Sequence, residues 1–330
     1  MSRVLITGAT GFLGAALVPV LRAAGHEVLA TGRDPARLAA LADAGCATLP
    51  LDLAQPVPDS TAHSIGRLDA VVHCAALSAP SGRRARFIAA NVTATRHLLS
   101  LARGAGVRRF VNISSPSVYF APRDQLDVAE DMPLPRPFNH YAATKARAEA
   151  LVLAQGDLGP VSLRPRGIYG PGDRALLPRL LQAAARRPLP MLRGGRAAID
   201  LTHVDDVTRA IRAALEAGPG AEGQSINISG GEMLPLRHII DAACARAGIT
   251  PRWRAMPYRP LVLLARGLEA AHAAWPGAPR EPAITAYGLA ILAFRQSLAL
   301  GRAAQLLDWH PRIGFAEGLE RTFAAARARA

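Results

Sequence analysis

Tyr141 and Lys145 stand four residues apart in the segment YAATK (141–145), and Lys145 is the only lysine in the chain. Residues four apart on a helix share one face. The pair therefore sets a small cation beside a phenol. Lysine and arginine together number 39, so this chain uses arginine almost everywhere else. Arginine carries a broad planar fork that keeps its charge, whereas lysine is a point charge on a flexible stem. A free phenol has a pKa of about 10, and a nearby ammonium favours the phenolate and brings that value toward the working range. A phenol so placed can give or take a proton as a general acid or base. Ser114 and Ser115 close a strand just upstream. The Ser115 hydroxyl would hold a substrate oxygen, and Asn91 could support Lys145 through a water.

A second motif names a partner for that chemistry. TGATGFLG (7–14) follows an apolar, β-branched run and opens a helical pattern. Gly8 allows a tight turn, Gly11 lets backbone approach a pyrophosphate, and Gly14 allows close helix–strand packing. The helix start then offers unpaired N–H groups to phosphate. The expected cofactor is a nicotinamide dinucleotide, with Lys145 bonding the nicotinamide ribose and the positive ring helping to ionise Tyr141. An acid closing the second strand would select a free ribose 2′-hydroxyl. Gly32 occupies that place and Arg33 follows, which suits a 2′-phosphate. NADP is therefore favoured over NAD. Asp34, before Pro35, reads as a helix start, and Asp52 could accept a bond from the adenine amine.

These residues need a frame. Strands are expected at 3–7, 26–32, 46–53, 68–76, 108–115, 160–170 and 224–229, alternating with helices at 12–24, 34–45, 84–105, 140–156, 174–187, 203–218 and 236–248. Asp205 or Asp206 is expected to cap the helix at 203–218. Such alternation means a parallel sheet covered on both faces. The fold class is α/β: a Rossmann-type doubly wound sheet with a smaller, mostly α C-terminal substrate domain. The boundary is set at 1–165 for the dinucleotide-binding domain, with returns at about 200–229. Residues 166–330 form the interleaved substrate part. His73, Cys74 and His203 read as packing or structural residues.

Composition excludes several classes. Half of the 330 residues are hydrophobic, which is enough for a large core. The formal charge is +14, yet the arginines are scattered rather than blocked, so no nucleic-acid partner is expected. Cys46, Cys74 and Cys244 fit a reducing compartment and no metal-ligand spacing. No secretory leader or membrane span is expected, and the location is read as cytoplasmic. The apolar stretch 257–275, with Leu261, Val262, Leu263, Leu264, Leu268 and Trp275, is an ordinary packed helix or a face that could touch a membrane.

Together, TGATGFLG (7–14), Asp52 with Leu53, HCAA (73–76), Asn91, SSPSVY (114–119), YAATK (141–145), RPRGIYGPGD (164–173) and HVDD (203–206) resemble the extended short-chain dehydrogenase/reductase superfamily along nearly the whole chain. The resemblance implies Ser115, Tyr141, Lys145 and Asn91 as the catalytic set. It implies cofactor contacts at Gly8, Thr10, Gly11, Phe12, Leu13, Gly14, Arg33, Asp52, Leu53, Ala75, Ala76, Ser114, Tyr141, Lys145, Pro165 and Ile168. Ser115, Ser117 and Gly167 are implied on the substrate side, no metal is implied, and a homodimer is the family expectation. Nucleotide-sugar epimerases of this superfamily carry Asn where Gly167 stands and Arg where Ile199 stands. An apolar side chain cannot neutralise a diphosphate. The chain is more similar to the 3β-hydroxysteroid dehydrogenase and 2-alkyl-3-oxoalkanoate reductase branch. That implies oxidation or reduction at a secondary alcohol or ketone of a small, bulky hydrophobic substrate. An epimerase or dehydratase, and a non-catalytic dinucleotide-binding protein, are the alternatives.

Overall fold

The computed structural model describes residues 1–274 and 284–327; Trp275 lies outside them. The first strands are β1 (Arg3–Thr7), β2 (Glu27–Gly32), β3 (Ala47–Pro50), β4 (Ala70–His73) and β5 (Arg109–Ile113). Then come β6 (Gln125–Val128), β7 (Pro160–Pro165), β8 (Ile168–Tyr169), β9 (Leu189–Met191) and β10 (Ala198–Asp200). The last are β11 (Thr202–His203), β12 (Gln224–Ile228), β13 (Met233–Pro235), β14 (Trp253–Ala255) and β15 (Gln296–Leu298).

The main sheet has seven strands in the order β12-β7-β5-β4-β1-β2-β3, and its neighbouring strands all pair in parallel. Parallel neighbours need crossovers, and the helices between them cover both faces. On one face Leu17, Val18 and Leu21 of the helix Phe12–Ala23 meet Val207, Ile211 and Ala214 of the helix Val204–Glu216. On the other, Leu98, Leu99 and Ala102 of the helix Ala94–Gly104 pack with Val152 of the helix His140–Leu153. Burial from both sides explains the near-continuous apolar runs of β1 and β4. Strand order reverses between β1 and β4, and ligands of such sheets bind there, beyond the carboxyl ends.

The fold class is the one expected from the sequence. The C-terminal part adds helices and a four-stranded sheet, β13-β10-β15-β6, which draws β6 from the first half of the chain. That sheet was not expected, because its strands are three or four residues long and pair across great sequence separations. The helix expected over 84–105 is present from Arg84 to Gly104, with a π-helical turn at Ile88–Thr93 that includes Asn91. One local expectation is corrected. Neither Asp205 nor Asp206 caps the helix at 203–218: His203 Nδ1 accepts the Asp205 N–H at 3.3 Å. Asp206 is fully buried and accepts from the backbone N–H groups of Arg312 and Ile313, each at 3.0 Å. It ties the C-terminal segment to the helix Val204–Glu216.

Candidate active site

The glycine turn is built by close approach. A Cβ at Gly14 would lie 2.3 Å from the Gly8 carbonyl oxygen, and one at Gly8 would lie 2.8 Å from the Ala75 nitrogen. Gly8 has φ +67°, where side chains are strained. Helix Phe12–Ala23 begins at Gly11, with no side-chain cap and no acid in its first turn. Its N–H groups are thus left for an anion. Beside the turn lies a cleft of about 270 Å³. Of the expected cofactor contacts, Gly8, Thr10, Gly11, Arg33, Asp52, Leu53, Ala75 and Ala76 line it. Leu13 and Gly14 are buried in the helix, facing the core and the turn. These features fit a dinucleotide phosphate at the turn and an adenosine in the cleft.

Gly32 has a physical reason. A Cβ there would lie 2.5 Å from Thr10 Oγ1, so Thr10 fills the room that an acid would need. Asp34 is a cap, accepting the Arg37 N–H at 3.2 Å and pairing with the Arg37 side chain. Arg33 is 72% exposed and only 4.0 Å from Asp52, which leaves its fork available. Arg37, which sequence reasoning missed, donates to the Thr10 carbonyl at 2.6 Å. Asp52 Oδ1 accepts from the Ala54 N–H at 3.1 Å.

The chemistry sits further along the strand ends. Ser115 follows β5, and its Oγ accepts the Ser117 N–H at 3.2 Å, opening a 3₁₀ turn over Pro116–Tyr119. Tyr141 lies on the helix His140–Leu153, begun by Asn139, which accepts the Ala142 N–H at 2.8 Å. The hydroxyls of Ser115 and Ser78 face the Tyr141 phenol. Ser78 was missed; its only signal is its place in the loop after β4. Burial pushes the Tyr141 phenol up, and the two serines pull it back. Burial is the larger effect, so the phenol stands above its ordinary value rather than below it. Lys145 is itself buried and donates to the Ile113 carbonyl at 2.5 Å. Burial brings its ammonium down to about 8, against the attraction of Glu149.

Asn91 does not bond Lys145. It accepts from the Leu77 N–H at 2.7 Å, donates back to the Leu77 carbonyl at 3.2 Å and donates to Thr144 Oγ1 at 3.0 Å. It therefore ties the loop that carries Ser78 to the helix that carries Tyr141. His73 is buried between Thr7 and Thr95, and burial brings it down to about 3, so it is a neutral packing residue. Behind Lys145, one turn on, Glu149 is held by Arg164 Nε at 2.9 Å and by Ser162 at 3.1 Å. Ser114 and Ser117 are buried hydroxyls at the same strand end. Pro165 ends β7 beside them, and Ile168 packs against the core.

An aromatic cluster packs near this strand end. Phe120 lies 5.1 Å from Phe138 and 5.0 Å from Tyr287, ring centre to ring centre. Phe138 is three residues before Tyr141, and Phe120 follows the turn that Ser115 opens. Gly167 stands between β7 and β8. Its φ is +50°, and a Cβ there would lie 2.5 Å from Leu201 Cδ2. A side chain at 167 would run into Leu201. Ile199 is buried in β10. On the helix Tyr258–Ala274, Leu263 and Leu264 are 69% and 57% exposed, while Val262 and Ala265 are buried. Among the described residues no helix is long and apolar enough to cross a membrane, and no cluster of metal-ligating residues occurs.

Residues 4–229 match the model of the NAD dependent epimerase/dehydratase family. The chain is 33% identical over 341 residues to a 2-alkyl-3-oxoalkanoate reductase of Stenotrophomonas maltophilia, covering 99% of this chain and 100% of that one. It is 32% identical over 264 residues to a 3-beta-hydroxysteroid dehydrogenase of Mycolicibacterium neoaurum, covering 74% and 71%. Among solved structures it is similar to MoeE5 in complex with UDP-glucuronic acid and NAD, at 27% identity and TM-score 0.75, covering 99% and 100%. The match across both the glycine turn and the Ser115, Tyr141 and Lys145 region shows that this chain belongs to the NAD-dependent epimerase/dehydratase family, as an NAD(P)-dependent oxidoreductase of the extended short-chain dehydrogenase/reductase type, in the branch of the 2-alkyl-3-oxoalkanoate reductases and 3β-hydroxysteroid dehydrogenases.

Proposed function

We propose that this enzyme interconverts a ketone and a secondary alcohol on a bulky hydrophobic substrate of the 3-oxo or 3-hydroxy lipid acid or 3β-hydroxysteroid type, with NADP(H) preferred. The carrying observation is the setting of Tyr141: its phenol meets two serine hydroxyls on one side, while an aromatic wall of Phe120, Phe138 and Tyr287 stands close by. Such a wall suits an apolar body. Ile199, buried and apolar, points the same way.

The nicotinamide, when bound, supplies or accepts the hydride. The chain's residues do the rest. The Ser115 and Ser78 hydroxyls hold the substrate oxygen by hydrogen bonds. Tyr141 gives its phenolic proton to that oxygen in reduction and takes it back in oxidation. Lys145, Glu149 and Arg164 form a buried charged chain beside the helix that carries Tyr141. The helix start at Gly11 would hold the pyrophosphate, and Arg33 the 2′-phosphate. Thr10 in the place of an acid, with Arg33 beside it, supports NADP.

The likeness to MoeE5 supports a second reading, a nucleotide-sugar epimerase or related enzyme. The two part on a simple assay. NADPH should be consumed with a racemic 2-alkyl-3-oxo acid and spared with UDP-glucose or UDP-glucuronic acid. Conversion of a UDP-sugar without net NADPH consumption would replace the proposal by the second reading.

A further inference from the structure

Arg166 is a positive charge that the chemistry described so far does not use. It leaves β7 one residue past Pro165. The register Ile113↔Leu163 sets Ser115 level with Pro165, so Arg166 emerges just beyond the catalytic serine on the neighbouring strand. Its backbone is pinned: its N–H donates to the Ile228 carbonyl at 2.9 Å, and its carbonyl accepts from Thr202 Oγ1 at 2.5 Å. Its side chain, 11% exposed, is held from behind by two strands of the small sheet. Nε lies 2.9 Å from Asp200 Oδ1 on β10, and Nη1 donates to Gln296 Oε1 on β15 at 2.8 Å.

That support is incomplete. A guanidinium has five N–H donors in a rigid fork. Among the described residues Nη1 makes a hydrogen bond, to Gln296, whereas Nε, close as it is to Asp200 Oδ1, is buried without a hydrogen-bond partner. Asp200 divides its charge, since its Oδ2 also accepts from Ser229 Oγ at 2.7 Å and from the Leu298 N–H at 3.2 Å. Burial pushes the Arg166 guanidinium down in spite of Asp200, which means that the cation is under-compensated where it sits. Tyr287 links it to the reacting centre. Tyr287 feels both the Tyr141 phenol and the Arg166 cation, and it packs against Phe120 and Phe138. Arg166 and the catalytic tyrosine therefore share Tyr287 as a neighbour.

We propose that Arg166, backed by Asp200 and Gln296, is the docking point for a carboxylate on the substrate, so that the enzyme prefers 3-oxo and 3-hydroxy acids over uncharged steroids. This rests on the reading of the site as a ketone–alcohol oxidoreductase. In a 3-hydroxy acid the carboxyl carbon is two bonds from the carbinol carbon. A cation just beyond Tyr141 is thus where that carboxylate falls when the 3-oxygen meets Ser115 and Tyr141. The planar fork accepts a carboxylate along one edge while its other edge stays on Asp200.

The test compares a 2-alkyl-3-hydroxyalkanoate with its methyl ester, each offered to the intact enzyme with NADP⁺ and followed by reduced-nicotinamide absorbance. The expected kcat/KM for the acid exceeds that for the ester by about 10- to 100-fold, the worth of charge-assisted hydrogen bonds, mostly through KM. In Arg166→Leu the acid-to-ester ratio should collapse toward one, and in Arg166→Lys it should fall part of the way. Equal kcat/KM for acid and ester in the wild type overturns the inference without needing any variant to fold. An Arg166→Leu that lowers both substrates in parallel, keeping their ratio, overturns it too. Turnover of neither compound, with conversion of a UDP-sugar, would sink the underlying reading instead.

Discussion

The two ends of the active site are built by different rules. The cofactor end is made of backbone. Residues 7–14 supply its turn, and successive strand ends supply its walls at 31–34, 51–54 and 74–77. Tolerances there are a few tenths of an ångström, as the 2.3 Å approach of a Gly14 Cβ to the Gly8 oxygen shows. The proposed substrate end draws on side chains from distant places: Phe120, Phe138, Arg166, Asp200, Tyr287 and Gln296. The first arrangement recognises a group common to every dinucleotide and cannot vary without unfolding the turn. The second can change its ligand one side chain at a time while the sheet beneath it stays the same. That division accounts for a chain that resembles sugar-nucleotide enzymes in fold and lipid reductases in sequence.

Substitutions should separate the two ends. The largest effect is expected at Gly14→Val. Its side chain must displace backbone, so a loss of more than about 3 kcal/mol or of soluble protein is expected, measured by yield and thermal unfolding. Normal melting would show that the glycine turn is as plastic as the substrate wall. Tyr141→Phe should keep the fold and cofactor binding but cut kcat/KM by about 10²- to 10⁴-fold. Retained turnover would move the proton to another group.

Lys145 ties the comparison to pH. Its folded pKa of about 8 lies below the ordinary 10.5, so the folded protein binds fewer protons than the unfolded chain between those values. Its contribution to stability therefore rises with pH across that window, and the full cost is present below about pH 8. Lys145→Met should be inactive yet more stable at pH 7 by up to about 3 kcal/mol, with a flatter stability profile from pH 8 to 10. A destabilised Lys145→Met would mean that the ammonium is compensated after all.

Smaller effects are expected at the rim. Arg33→Ala should lower the preference for NADP over NAD by about tenfold, read from the two kcat/KM values; an unchanged ratio would assign the 2′-phosphate to Arg37. The exposed leucines of the helix Tyr258–Ala274 stand with exposed Arg259 and Arg266 in a chain of charge +14. Leu263→Glu with Leu264→Glu should reduce co-sedimentation with acidic lipid vesicles a few-fold. Equal binding by both proteins would leave that face a plain surface.

The same contrast explains what could be read from the sequence. The glycine turn, the main-sheet strands and the Tyr141–Lys145 pair were legible because each is local: a turn within eight residues, or a spacing of four. The direct partners of Asn91, the Leu77 loop and Thr144, were not legible because they stand 14 and 53 residues away. Ser78 lay in an unremarkable loop. The helix-cap reading of Asp206 failed because its partners stand more than 100 residues away. Arg166 looked like one arginine among many until two short strands brought Asp200 and Gln296 behind it. Gly167 drew attention for the side chain it lacks, and Leu201 explains that lack.

The central claim is that this site carries a hydride to a lipid-like ketone while Tyr141 carries the proton. The most direct measurement uses NADPH deuterated at the transferable C4 position with a racemic 2-alkyl-3-oxo acid, and mass spectrometry of the product. The account predicts one deuterium at carbon 3 of the 3-hydroxy acid for each NADPH consumed. An unlabelled mixture, with a UDP-sugar converted and the added NADPH untouched, would contradict it.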